Sequence, residues 1–177
     1  MSRSWADAAV VLIVAESCFG NTLTVTRAIA AGLSEDPGGE TVTIVRPSGA
    51  PRDLPPDLDL LLVGAPTHDF SMPKEQTRKQ AAAKGATGDG ATGVREWIEL
   101  VTVRADLRVV TFDTSVSMKF VPGSASKAAA KALKKRGFRR AERGQSFFVA
   151  GMAGPLVDGE ESRAEAWGAK LGGSLRA

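Results

Sequence analysis

The stretch VVLIVAESCFGNT, Val10 to Thr22, ends in residues able to hold an anion: Ser17, Gly20, Asn21 and Thr22. A fully apolar run, Val10 to Val14, feeds this short polar turn, and a helix-like pattern follows at once. A buried parallel strand delivers a phosphate-binding loop to a helix start in this way. The helix start has unpaired N–H groups and a partial positive charge, and both attract anions. Gly20 lets the backbone approach the anion closely. Ser17 and Thr22 add hydroxyl donors, and Cys18 and Phe19 add backbone N–H groups beside them.

Elements that could position such a loop are legible along the chain. Val10–Val14, Leu60–Val63 and Phe147–Ala150 are continuous apolar runs, and Leu107–Phe112 is nearly so. Strands of that kind are buried on both faces, as in a parallel sheet covered by helices. Thr41–Val45 alternates instead and is expected at an edge. A first helix is expected from about Asn21 to Leu33. A later one carries Val94, Trp97, Ile98 and Val101 at i, i+3, i+4 and i+7, with Thr92 as N-cap. Another places Ala125, Ala128, Ala129, Ala132 and Leu133 on one stripe, has Ser124 or Ser126 as cap, and stops at Gly137. The last carries Ala164, Trp167, Gly168 and Leu171. The segment RPSGAPRDLPPD (46–57) is too proline-rich for more than a helical turn. Met72 to Ala91 reads as a polar, partly helical excursion with a Gly-rich end.

Alternating β and α elements imply a doubly wound α/β sheet in a single domain spanning 1–177. Ligands in such folds bind beyond the C-terminal ends of the strands. The strand-end loops Ser17–Thr22, Gly64–Phe70 and Asp113–Met118 are therefore the candidate site.

Composition narrows the function classes. The chain has 177 residues, of which 43% are hydrophobic and 24% charged, the balance of an ordinary globular protein. No apolar stretch approaches the ~20 residues of a membrane helix. The apolar run after MSRSWADAA reads as a strand rather than a secretion signal. One cysteine excludes an internal disulfide, and one His with one Cys leaves no zinc cluster. A reducing cytoplasm is the expected compartment. Net charge is +3, too small a surplus for a nucleic-acid signature. Most of that surplus lies in Lys127–Arg143, where a single aromatic residue, Phe138, gives no series of stacking platforms. The segment reads as a solvated helix face and turn, or as a docking face for an acidic partner.

The first loop resembles the phosphate loop of flavodoxins, [S/T]-x-[S/T]-G-x-T, with Ser17, Gly20 and Thr22 matching and Phe19 replacing a hydroxyl residue. Related flavodoxin-like proteins carry an ESxFGNT form. The resemblance implies a three-layer sandwich with a five-stranded parallel sheet in the order 2-1-3-4-5, and FMN as cofactor. It places Pro66, Thr67, His68, Asp69 and Phe70 against one side of the flavin ring, with His68 in the place of the usual stacking aromatic. It places Asp113, Thr114, Ser115 and Val116 on the other side. That loop commonly carries Tyr in the family, and this chain has no Tyr. Met118 or Phe120 then substitutes, or that face is open to solvent.

The implied activity is electron transfer to a protein partner. An FMN-dependent reductase of a quinone or other small acceptor is the alternative, and a flavodoxin-fold binding module without flavin is a third reading. Cys18-Phe19-Gly20-Asn21 also resembles the start of the low-molecular-weight tyrosine phosphatase loop. That mechanism needs an arginine six residues after the cysteine, where Thr24 stands, and its Asp-Pro acid pair has a match only in Asp36-Pro37, in the turn after the first helix. No G-x-x-x-x-G-K-[ST] occurs, no G-x-G-x-x-G follows the first strand, and Gly64-Ala65 occupy the place of a phosphoacceptor Asp.

Overall fold

A computed structural model describes residues 8–35, 40–88 and 90–177. The strands are β1 (Val10–Ala15), β2 (Thr41–Val45), β3 (Leu58–Pro66), β4 (Arg108–Val116) and β5 (Arg140–Val149). The helices are α1 (Asn21–Leu33), α2 (Glu75–Ala83), α3 (Val94–Leu100), α4 (Ala125–Arg136) and α5 (Glu160–Arg176). All strands pair in parallel in the order β2-β1-β3-β4-β5. This is the doubly wound, three-layer arrangement expected. Residues 1–7 and the Asp36-Pro37 turn lie outside the described residues.

Each face of the sheet carries its own core. On one, Val11, Ile13, Leu60, Leu62 and Phe112 pack against Val25, Ile29 and Leu33 of α1 and Ala164 and Leu171 of α5. On the other, Leu12, Val14, Leu61, Val63 and Val109 pack against Trp97 and Ile98 of α3 and Ala129 and Leu133 of α4. Successive strand residues thus feed opposite cores, which is why β1 and β3 have no polar face.

Three local expectations are corrected. β5 begins at Arg140, not Phe147. It is an edge strand, so Arg140, Glu142 and Arg143 are exposed and hide the pattern. Arg140–Arg143 therefore leaves the basic helix-and-turn segment and joins the sheet. The N-cap of α3 is Gly93, not Thr92. Glu96 reaches back to accept the Gly93 N–H at 2.9 Å, and Glu16 accepts the Val94 N–H at 2.9 Å. Elsewhere the local chemistry acts as expected: the Ser124 hydroxyl accepts the Lys127 N–H, Gly137 closes α4 at φ +119°, and 46–57 holds only a 3-10 turn at Pro47–Gly49.

Candidate functional site

The β1–α1 loop is built around Gly20, which takes φ +93° to turn the chain into the helix. The Ser17 hydroxyl accepts the N–H groups of Gly20 (3.2 Å) and Leu23 (3.3 Å), holding the loop in a tight arc. Its own proton stays free to donate. The N–H groups of Cys18, Phe19, Asn21 and Thr22 carry no hydrogen bond among the described residues. These four residues line an open cleft of about 190 Å³. Unpaired donors at the positive end of a thirteen-residue helix make this loop a candidate anion site.

The Thr22 side chain is placed differently from its N–H. Its hydroxyl is buried and shares a 2.7 Å hydrogen bond with the Thr114 hydroxyl, tying α1 to the end of β4. Thr22→Val should therefore act first on folding. We expect a loss of about 1 kcal/mol in urea titration, from the stranded Thr114 hydroxyl, and little loss in Thr22→Ser.

Pro66, Thr67, His68 and Asp69 line the cleft from the end of β3. His68 and Ser71 exchange backbone hydrogen bonds of 2.9 Å, with Asp69 and Phe70 between them at φ +49° and +59°. Two left-handed residues in succession define a type I′ turn, a conformation usually left to Asn and Gly. The His68 ring holds the Thr77 hydroxyl through Nδ1 at 3.0 Å. Burial pushes its pKa down, against the pull of Asp69, so the imidazole is neutral at pH 7. Phe70 is half exposed and stands outside the lining.

Thr114, Ser115 and Val116 line the opposite wall. Asp113 lies behind it: one carboxylate oxygen accepts the Ser126 N–H at 2.8 Å, capping α4, and the other has no partner among the described residues. Met118 and Phe120 are exposed, Phe120 almost completely, and neither lines the cleft. No aromatic side chain takes the place of the absent Tyr on that wall.

Sequence reasoning missed the roof. Thr77, Gln80 and Ala81 of α2, with Lys84 just beyond it, line the cleft, and so do Val149 at the end of β5 and Met152 after it. The signal was present: 77, 80, 81 and 84 fall at i, i+3, i+4 and i+7, one face of a helix. It carries mostly polar residues, so a search for apolar periodicity passes over it.

A buried ion network fixes that roof. The guanidinium of Arg78, 3% exposed, reaches Glu16 Oε1 at 3.2 Å, the Gly90 carbonyl at 3.1 Å and a Glu96 carboxylate oxygen. Burial lowers the arginine's pKa, but the carboxylates outweigh it and hold the charge. Glu16 thus points away from the anion site into a neutralising contact. Beyond α2, the Thr87 N–H donates to the Cys18 carbonyl at 3.0 Å, and a side chain at Gly88 would lie 2.4 Å from the Ser17 carbonyl oxygen. The excursion lies directly on the phosphate loop.

This environment also settles the chemistry of Cys18. Burial first, and the Glu16 charge second, push its thiol up to about 11, so it is protonated at neutral pH. A phosphatase nucleophile requires the reverse.

No protein-family model matches the sequence, and no curated protein is significantly similar to it. The fold has clear counterparts among solved structures. An archaeal flavodoxin superimposes with a TM-score of 0.62 at 13% identity, over 95% of this chain and 99% of its own. Megasphaera elsdenii flavodoxin gives 0.55 at 16% identity, over 91% and 98%. The flavodiiron protein of Giardia intestinalis gives 0.59 at 15% identity, with 97% of this chain covering 37% of that longer one. The chain has a flavodoxin-like fold.

Proposed function

We propose that the chain binds FMN non-covalently and passes electrons to a protein partner. The observation that carries this reading is the cleft itself. Four unpaired N–H groups at the α1 N-terminus stand beside walls supplied by the ends of β3 and β4. The residues suit the group. The phosphate would take the N–H groups of Cys18, Phe19, Asn21 and Thr22 and the Ser17 hydroxyl. Thr67 and the neutral His68 would flank one side of the ring, and Ser115 and Val116 the other. Bound FMN supplies the redox chemistry, while the protein sets its orientation and electrostatics. The likeness in fold to flavodoxins supports the same reading.

A carrier is favoured over a reductase because no nicotinamide-binding fingerprint follows β1. The open β4 wall leaves room for a small acceptor as the second reading, and NADH or NADPH oxidation by the purified protein separates the two. For a carrier, exposed Lys127, Lys131, Lys134 and Lys135 on α4 form no ion pair among the described residues and suit an acidic partner.

The visible spectrum and an FMN titration test the cofactor. We expect a yellow protein, or saturable one-to-one quenching of flavin fluorescence. A folded protein that leaves FMN fluorescence unchanged overturns the reading in favour of a binding module without flavin.

A further inference from the structure

Lys84 is the C-cap of α2, and it lines the cleft. The only hydrogen-bond partner of its ammonium group among the described residues is the Met152 thioether, at 3.8 Å. A thioether is a weak acceptor. No carboxylate among the described residues pairs with this charge.

Both ends of the contact are anchored to the phosphate loop. Three residues after Lys84, the Thr87 N–H holds the Cys18 carbonyl. Two residues after Met152, Gly154 lies against the Asn21 amide, so close that an added Cβ would sit 2.6 Å from Asn21 Oδ1. Lys84 and Met152 thus line the same cleft as Cys18, Phe19, Asn21 and Thr22, whose N–H groups are free among the described residues.

We propose that Lys84 is a phosphate-recognition residue. Its ammonium leaves Met152 as the nucleotide enters and pairs with the 5′-phosphate, so that the site selects FMN over the phosphate-free riboflavin. The ammonium thus gives up a weak contact and gains a charge-assisted one. This inference rests on the flavin reading above.

Wild-type protein, Lys84→Gln and Lys84→Arg are titrated with FMN and with riboflavin, at low and high salt, by flavin fluorescence. Lys84 is exposed, so both variants are expected to fold. Lys84→Gln should weaken FMN binding about tenfold and flatten its salt dependence, with riboflavin affinity unchanged and Lys84→Arg close to wild type. FMN binding that survives Lys84→Gln undiminished overturns the role of Lys84 alone. Equal losses for both flavins do the same, because the phosphate is then not what Lys84 reads. Wild-type protein that binds neither flavin overturns the inference together with the reading beneath it.

Discussion

Arg78→Ala should lower folding stability by about 3–5 kcal/mol near neutral pH, the usual cost of stranding a buried charge. Arg78 faces Glu16, itself 5% exposed, and joins it to Glu96, the Gly90 carbonyl and the Pro73 carbonyl. Removing the guanidinium leaves the Glu16 carboxylate buried beside the phosphate loop with the Val94 N–H as its remaining partner. The pH dependence has a definite sign. Burial already holds Glu16 above its ordinary 4.5, and loss of Arg78 raises it further. A carboxyl with a raised pKa is tolerated when protonated and penalised as pH rises through that value. Glu96 is held below 4.5 in the native protein: burial opposes this, and the hydrogen bonds and charge of Arg78 and its own N-cap contacts outweigh it. That contribution is present above 4.5 and is lost as pH falls through the lowered value. Both effects make the gap between wild type and Arg78→Ala narrow on acidification. Urea titrations at several pH values should show this, and Glu16→Gln in the Arg78→Ala background should recover much of the loss. A gap of under 1 kcal/mol at pH 7 would remove the network from the structural account.

Gly168→Ala should cost about 2 kcal/mol, the second large effect. At the crossing of α1 and α5, a Cβ on Gly168 would lie 2.1 Å from the Ile29 carbonyl oxygen, and one on Gly32 would lie 1.9 Å from the Glu165 carbonyl oxygen. These are backbone atoms, so no side chain can swing aside and the helices must separate. Separation loosens the core of Val25, Ile29, Leu33, Ala164 and Leu171. Overpacking of this kind costs up to about 3 kcal/mol, while exchanging Gly for Ala within a helix returns about 1 kcal/mol. The steric effect wins. Gly173, on the same helix, has nothing within 4 Å of its Cβ position, so Gly173→Ala should stabilise by about 0.5–1 kcal/mol. Thermal and urea unfolding of the two variants should move in opposite directions. Movement in the same direction would show that α5 and α1 tolerate separation.

The parts of the molecule legible in sequence are those where burial writes a pattern. β1 and β3 are buried on both faces and read as unbroken apolar runs, and α3 shows its inward face through Val94, Trp97 and Ile98. Gly20 and Gly137 marked turns that need a positive φ. The first half of β5 was hidden because an edge strand alternates with charges that elsewhere mean a helix surface. The roof of the cleft was hidden for another reason. Arg78 and Glu16 stand 62 positions apart and each looks like a surface residue until folding pairs them. Sequence likewise placed Asp113 on a strand-end loop, whereas it lies within β4, and the direction of its side chain, inward to cap α4, depends on that strand's register. Local pattern finds the strand ends that surround a site. It does not find the distant side chains that close over it.

The lone cysteine gives the β1–α1 loop a further property. The Cys18 thiol is buried and protonated at neutral pH, beneath an excursion that rests on the loop. Alkylating and oxidising reagents act on exposed thiolate. Each Cys18 that reacts thus belongs to a molecule whose excursion has lifted from Ser17 and Cys18. With no second sulfhydryl in the sequence to contribute background, the labelling of this one atom keeps time for the opening of the site.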